Sequence, residues 1–175
     1  MKQITLGQEI KLLAIILISS LLLFSCEQGG KAKKSFNEPL EPQFIKEGTL
    51  SLLSPDGSNT IRTLDIEIAD DAATIEVGMM YRRKMSDKQG MLFIFNQEKP
   101  QSFWMKNTYI SLDLIFIGTD RRIVSIQKNA EPLSEKSLPS TGPAQYVLEV
   151  IGGFCDKFGV KAGDLVEFEK NNSPT

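Results

Sequence analysis

The sequence predicts a mainly β domain: a compact β-sandwich or partly open barrel with one or two short helices, at about 72–81 and 152–158. Three observations carry this. Apolar runs of strand length recur, as in LDIEIA, MLFIF, LDLIFI and YVLEVI. Clusters of Gly, Pro, Asp, Asn and Ser separate them, which is the punctuation of an all-β chain. Helical spacing is short-lived, with Ala72, Ile75 and Met79 as its clearest instance.

Taken in order, Gly48 to Ser54 reads as a strand and Ser54 to Asn59 as a turn, because Pro55 and Asp56-Gly57 suit its backbone angles. In Thr60 to Ala69, Leu64, Ile66 and Ile68 alternate with Asp65 and Glu67, the mark of a half-buried strand. These two strands are expected to pair as a hairpin. Asp70 or Asp71 offers a helix N-cap before Ala72. Met91 to Phe95 is apolar on both faces, hence central. Asn96 to Pro100 is expected to turn, and Ser102 to Lys106 to form the next strand. Leu112 to Ile117 is another apolar strand, and its pairing with 102–106 would gather their polar residues at one end of the sheet. Arg122 to Gln127 returns from a turn at Gly118. Lys128 to Pro143, with three prolines, reads as a long loop, the kind that often carries function. Gln145 to Ile151 is a strand, Gly152 to Phe158 a helical turn closed by Gly159, and Leu165 to Glu169 the last strand.

The N-terminus has a different character. Lys2 and Lys11 precede Leu12 to Phe24, an uncharged apolar run followed by Ser25 and Cys26. The run is shorter than the roughly 18 residues of a membrane-spanning helix and fits a signal peptide. Its Leu23-Phe24-Ser25-Cys26 end resembles a lipobox. That resemblance implies cleavage after Ser25 and lipidation of Cys26. The expected organisation is signal peptide 1–25, flexible tether 26–47, a single β domain 48–170 and a tail 171–175. Without residues 1–25 the chain keeps 18 basic and 21 acidic side chains, a formal charge of −3. This balance opposes nucleic-acid binding, which needs a basic footprint. The chain has no histidine, which excludes His-dependent triads and imidazole metal sites. With Cys26 lipidated, Cys155 is left without a disulfide partner. No metal site and no cofactor are expected.

GMMYR at 78–82, GMLFIF at 90–95, FWMKNT at 103–108, LDLIFI at 112–117, PAQYVLEV at 143–150 and GVKAGDLVEF at 159–168 follow one another in this order. Together they resemble the bacterial and archaeal domain-of-unknown-function family 192, over about residues 62–169. The resemblance implies a mainly β fold with small helices, and frequent export or membrane association. It supplies no catalytic residues. GGFCDKF at 152–158 departs from the family's usual cysteine-free turn, so no family-wide role attaches to Cys155.

The candidate binding residues are Arg82, Trp104, Lys106, Asn107, Asp113 and Glu149. Asp113 and Glu149 interrupt apolar strands, and an unpaired buried carboxylate costs several kcal/mol. Each must therefore be paired, hydrogen-bonded or turned to a cleft or to solvent. Trp104 and Lys106 share a face in a regular strand; with the Asn107 amide they suit a sugar ring or an anion. Arg82 is read either as a helix-end base or as an anion contact. The expected function is a lipid-anchored protein of the bacterial cell envelope, a non-enzymatic module that binds a small ligand, a glycan or another envelope protein. The alternative is a carboxylate-dependent hydrolase that uses Asp113 and Glu149, with Lys106 or Arg82 holding developing negative charge.

Overall fold

In the computed structural model the chain is described over residues 40–171. The signal peptide, Cys26 and the tail beyond 171 lie outside that range. Seven strands form one sheet: β1 (Gly48–Leu53), β2 (Thr60–Ala69), β3 (Gln89–Phe103), β4 (Leu112–Ile117), β5 (Ile123–Ala130), β6 (Leu138–Ile151) and β7 (Leu165–Lys170). Two short helices interrupt them, α1 (Ala72–Val77) and α2 (Phe154–Phe158). The strand order is β5-β4-β6-β3-β2-β1-β7. All neighbours are antiparallel except β2 and β3, which the α1 crossover makes parallel.

The sheet curls into a half-barrel, which selects the partly open barrel over the sandwich. Its two edges meet at one place. Arg122 bridges Leu165, Val166 N–H donates to Arg121 O at 2.8 Å, and Ile123 N–H donates to Asp164 O at 2.9 Å. The Arg121 guanidinium covers this seam, 3.9 Å from the Phe168 ring centre and 4.3 Å from that of Tyr146. Alternation along the strands makes two cores. The concave side buries Leu50, Leu64, Ile66, Leu92, Ile115, Leu148 and Val150, and Phe154 and Cys155 of α2 join this core. The convex side buries Met91, Phe93, Leu114, Phe116 and Val147 beneath the 78–86 segment and the 103–110 segment. Strand β4 and the inner half of β6 are therefore buried on both faces, and the expected 48–54, 60–69 and 112–117 strands are found with those bounds or within one residue.

Asp71 is the N-cap of α1. Its carboxylate accepts from Ala73 and Thr74 N–H, and Thr74 returns a bond to the cap backbone. The helix stops at Val77, four residues before its expected end, because Gly78 takes φ 46° and ψ −129°. A side chain there would lie 3.0 Å from the Phe93 ring. Gly159 closes α2 in the left-handed conformation, as expected.

Three expectations are corrected. The turn expected at 96–100 is an irregular excursion within one long β3: Ile94 pairs with Tyr146, but Lys99 pairs with Ala144. The loop expected at 128–143 shrinks to 131–137, because β5 runs on to Ala130 and β6 begins at Leu138. Prolines suggested a loop, but Pro100 and Pro143 face each other in the β3–β6 ladder near its irregularities, where a missing N–H costs little. Strands 102–106 and 112–117 do not pair; β3 ends at Phe103, and β4 lies between β5 and β6.

The tether is also shorter than expected on its folded side. Ile45 N–H donates to Glu67 Oε1 (3.0 Å), Glu47 N–H to Ile66 O (2.8 Å), and Ile68 N–H to Glu47 Oε2 (2.7 Å). Glu41 accepts from Arg83 N–H at 3.0 Å. Residues 41–47 thus form a strap along β2.

Candidate functional site

Asp113 is fully buried on β4, on the concave face with its partner Val150. Its carboxylate accepts three backbone N–H bonds: from Asn129 at 2.8 Å, Gly153 at 3.1 Å and Cys155 at 2.8 Å. It holds the end of β5 and the entry to α2, and its role is structural. Burial pushes the Cys155 thiol well above the usual range, and the Asp113 carboxylate beside it adds to the effect. A thiolate is the reactive form, so full burial and the raised pKa both oppose reaction at this sulfur.

Glu149 lies on the opposite face. Register places it beside Leu114 on β4 and Met91 on β3, and Met91 in turn beside Glu67 on β2. One row across the convex face therefore reads Glu67, Met91, Glu149, Leu114. The hydrolase pairing of Asp113 with Glu149 is corrected by this geometry: neighbouring pleats send the two carboxyls to opposite sides of the sheet, so they cannot flank one bond.

Glu149 is 3 % exposed, and among the described residues its Oε2 has no hydrogen-bond partner. Burial pushes its pKa up from 4.5 to about 8, with the Arg82 charge partly opposing the rise. At neutral pH the group is mostly a carboxylic acid, able both to donate and to accept. Arg82 itself makes a buried ion pair, 2.7 Å from Glu67 Oε2. It is neither at a helix end nor free as an anion contact. A cavity of about 500 Å³ lies between this pair and the strap, with Met85 and Gln89 on its wall.

Asn107 turns away from the sheet. Its Nδ2 donates to Tyr81 Oη at 3.3 Å, and its backbone carbonyl accepts from Tyr81 N–H at 2.8 Å. Asn107 and Tyr81 both sit in the left-handed region, at φ 57° and 66°. They tie GMMYR to FWMKNT, which brings Gly78, Met79 and Met80 over the row of the sheet that holds Glu149. Trp104 and Lys106 share a side although strand geometry has ended: Lys106 Nζ stands 5.1 Å from the indole centre. Met105 points the other way and is fully buried. Its N–H donates to Ser134 O, and Leu133 N–H donates to Thr108 O.

Two cavities meet at Trp104. The inner one, about 40 Å³, is lined by Glu149, Lys106, Thr108, Trp104, Phe93, Phe103 and the 75–80 segment. The outer groove, about 410 Å³, is lined by Ile75, Phe95, Phe103 and Trp104 with Glu76, Gln101, Ser102, Glu135 and Ser137 at its polar parts. Trp104 is 49 % exposed, high for the largest apolar ring in the chain. Ile75, Glu76, Phe103 and Trp104 border both spaces. The structure thus brings Trp104, Lys106 and Glu149 together, and places Arg82, Asn107 and Asp113 elsewhere. Sequence reasoning missed Thr108, Phe95, Glu76 and Glu67. Thr108 could have been found as part of FWMKNT; the others read as ordinary strand and helix positions.

The fold class is mainly β, a seven-stranded sheet curled into a half-barrel with two short helices. The chain belongs to the DUF192 family, described as Uncharacterized ACR, whose profile matches residues 53–168. Among solved structures it resembles a Sinorhizobium meliloti 1021 protein whose description proposes a transcription regulator. The two are 39 % identical with a TM-score of 0.66, over 72 % of this chain and 98 % of the other. It also resembles a protein of unknown function from Novosphingobium aromaticivorans DSM 12444, at 39 % identity and a TM-score of 0.64, over 68 % of this chain and 83 % of that one. No curated protein matches.

Two outcomes follow for the buried acids. Asp113→Ala strands three buried N–H groups and is expected to lower stability by about 3 kcal/mol or more, read by urea denaturation. For Glu149 the outcome is a pH dependence. The native acid keeps its proton up to about 8, whereas the unfolded chain loses it near 4.5. Stability from this group is therefore full below 4.5 and falls as pH rises through 8, by at most about 1.4 kcal/mol per pH unit. Glu149→Gln should flatten that slope in denaturation curves taken across the window.

Proposed function

We propose that this protein is a lipid-anchored module of the bacterial cell envelope that binds neutral glycans without catalysis. One observation carries the reading: a half-exposed Trp104 forms the wall of a groove whose apolar side is Ile75, Phe95 and Phe103 and whose polar parts are hydroxyl, amide and carboxylate groups. Sugar rings present an apolar face to an aromatic ring and equatorial hydroxyls to planar polar groups. Of the sugar ring and the anion that Trp104, Lys106 and Asn107 suggest, the sugar is favoured. Glu76 and Glu135 at the groove oppose an anion, and Asn107 is engaged with Tyr81.

The membrane attachment rests on the Leu23-Phe24-Ser25-Cys26 end of the apolar N-terminal run. The regulator description of the Sinorhizobium protein is not carried over, because a chain of formal charge −2 lacks the basic footprint nucleic acid requires.

Calorimetric titration with a panel of soluble neutral oligosaccharides should find saturable binding, and Trp104→Ala should weaken it by at least about tenfold, the loss typical of a removed aromatic anchor, while the melting temperature holds. Unchanged affinity in that variant would remove the basis of the reading. Separately, intact mass of the membrane-extracted protein should show an acylated chain starting at Cys26, and Cys26→Ser should leave an unprocessed precursor. A mature chain without acyl groups refutes the anchor.

A further inference from the structure

Resting on the glycan reading of the groove, we infer that the inner cavity is a specificity pocket for the acetamido substituent of an N-acetylated amino sugar. The cavity opens beside Trp104, which it shares with the groove, so a ring stacked on the indole would direct one substituent inward. Its size, about 40 Å³, gives room for about three water-sized groups. In an acetamido group the nitrogen replaces the hydroxyl oxygen on a ring carbon, and the carbonyl carbon, its oxygen and the methyl are the three groups that reach inward.

The chemistry of the walls matches that group atom by atom. Glu149 Oε2 is buried and has no hydrogen-bond partner among the described residues; it is an acceptor for the amide N–H. Lys106 Nζ, held near the indole, is a donor for the amide oxygen. Phe93 and Phe103 line the same space and offer an apolar seat for the methyl. A plain hydroxyl in this position is too short to reach into the pocket, so it leaves both the buried Glu149 oxygen and the apolar seat without a partner. A buried polar group left without its partner is what makes such sites selective. Glu149 is therefore assigned to ligand selection, with Lys106 as its counterpart, and no bond is made or broken.

The test uses the full-length chain in detergent. Trp104 is the only tryptophan, so its fluorescence reports binding directly. Two probes are compared: the β-linked trimers of N-acetylglucosamine and of glucose, which differ only at the substituent in question. The acetylated trimer should bind at least about tenfold tighter, a difference of about 1.4 kcal/mol. Glu149→Leu, which fills the position with an apolar side chain and strands no polar group, should bring the two affinities together by weakening the acetylated trimer alone. Lys106→Met should do the same. Equal affinities for the two trimers, or a preference that survives both variants, overturns the acetamido pocket and leaves the groove reading standing. Saturable binding of neither trimer overturns both.

Discussion

The Asp113 carboxylate, enclosed on the concave face, collects N–H bonds from Asn129, Gly153 and Cys155. These donors belong to the last turn of β5 and to the entry of α2, segments far apart in sequence. One buried carboxyl group therefore ties the end of a strand to the entry of a helix. Three main-chain N–H donors satisfy its oxygens, which makes burial tolerable. With that end fixed, β4 and β6 keep their register, and the register in turn decides which side chains reach the opposite face.

On that opposite face the same fold treats a second carboxyl differently. Glu149 sits in a row with Glu67 and Met91, yet Arg82 is committed to Glu67 by its close ion pair. Glu149 is left with burial and a distant positive charge. Two acids one residue out of phase on adjacent strands thus acquire opposite roles: one saturated with backbone donors, the other raised toward neutrality and unsatisfied. Unsatisfied buried groups are rare enough in folded proteins that each asks for an explanation. Here the accompanying features are a cavity and an exposed indole.

The fold was legible where patterning was strong. The alternation of 60–69 and the apolar run of 112–117, interrupted by Asp113 alone, gave those strands with their bounds, and Asp71 and Gly159 marked their helix ends. Sequence reasoning failed where composition and geometry disagree. Pro139 and Pro143 look like loop residues, yet they lie in the long outer arm of β6, paired with β3. Gly78, a residue that weakens a helix interior and so marks a possible helix end or close contact in the sequence, does both: it ends α1 and packs against Phe93. The site was legible in part. Trp104 and Lys106 do share a side, by a ring contact and not by strand alternation. That Asp113 and Glu149 face apart follows from register across β4 and β6, and a one-residue difference in pairing reverses such a conclusion. The left-handed pair Tyr81 and Asn107, which folds one motif onto the other, has no signature in sequence beyond the tolerance of asparagine for that region.

The seam between Arg122 and Leu165 has a further consequence. Because the half-barrel closes only around that seam, β5 and β7 remain the outer strands of the sheet. Such edges invite sheet-to-sheet aggregation unless charge protects them. Lys128, exposed near the end of β5, pairs with Asp156, while Glu167, Glu169 and Lys170 are exposed along β7. Another strand docking on either edge would have to strip water from these charges. The same partial closure that lets the sheet curl thus comes with its own safeguard against polymerisation, most useful wherever many copies crowd on one surface.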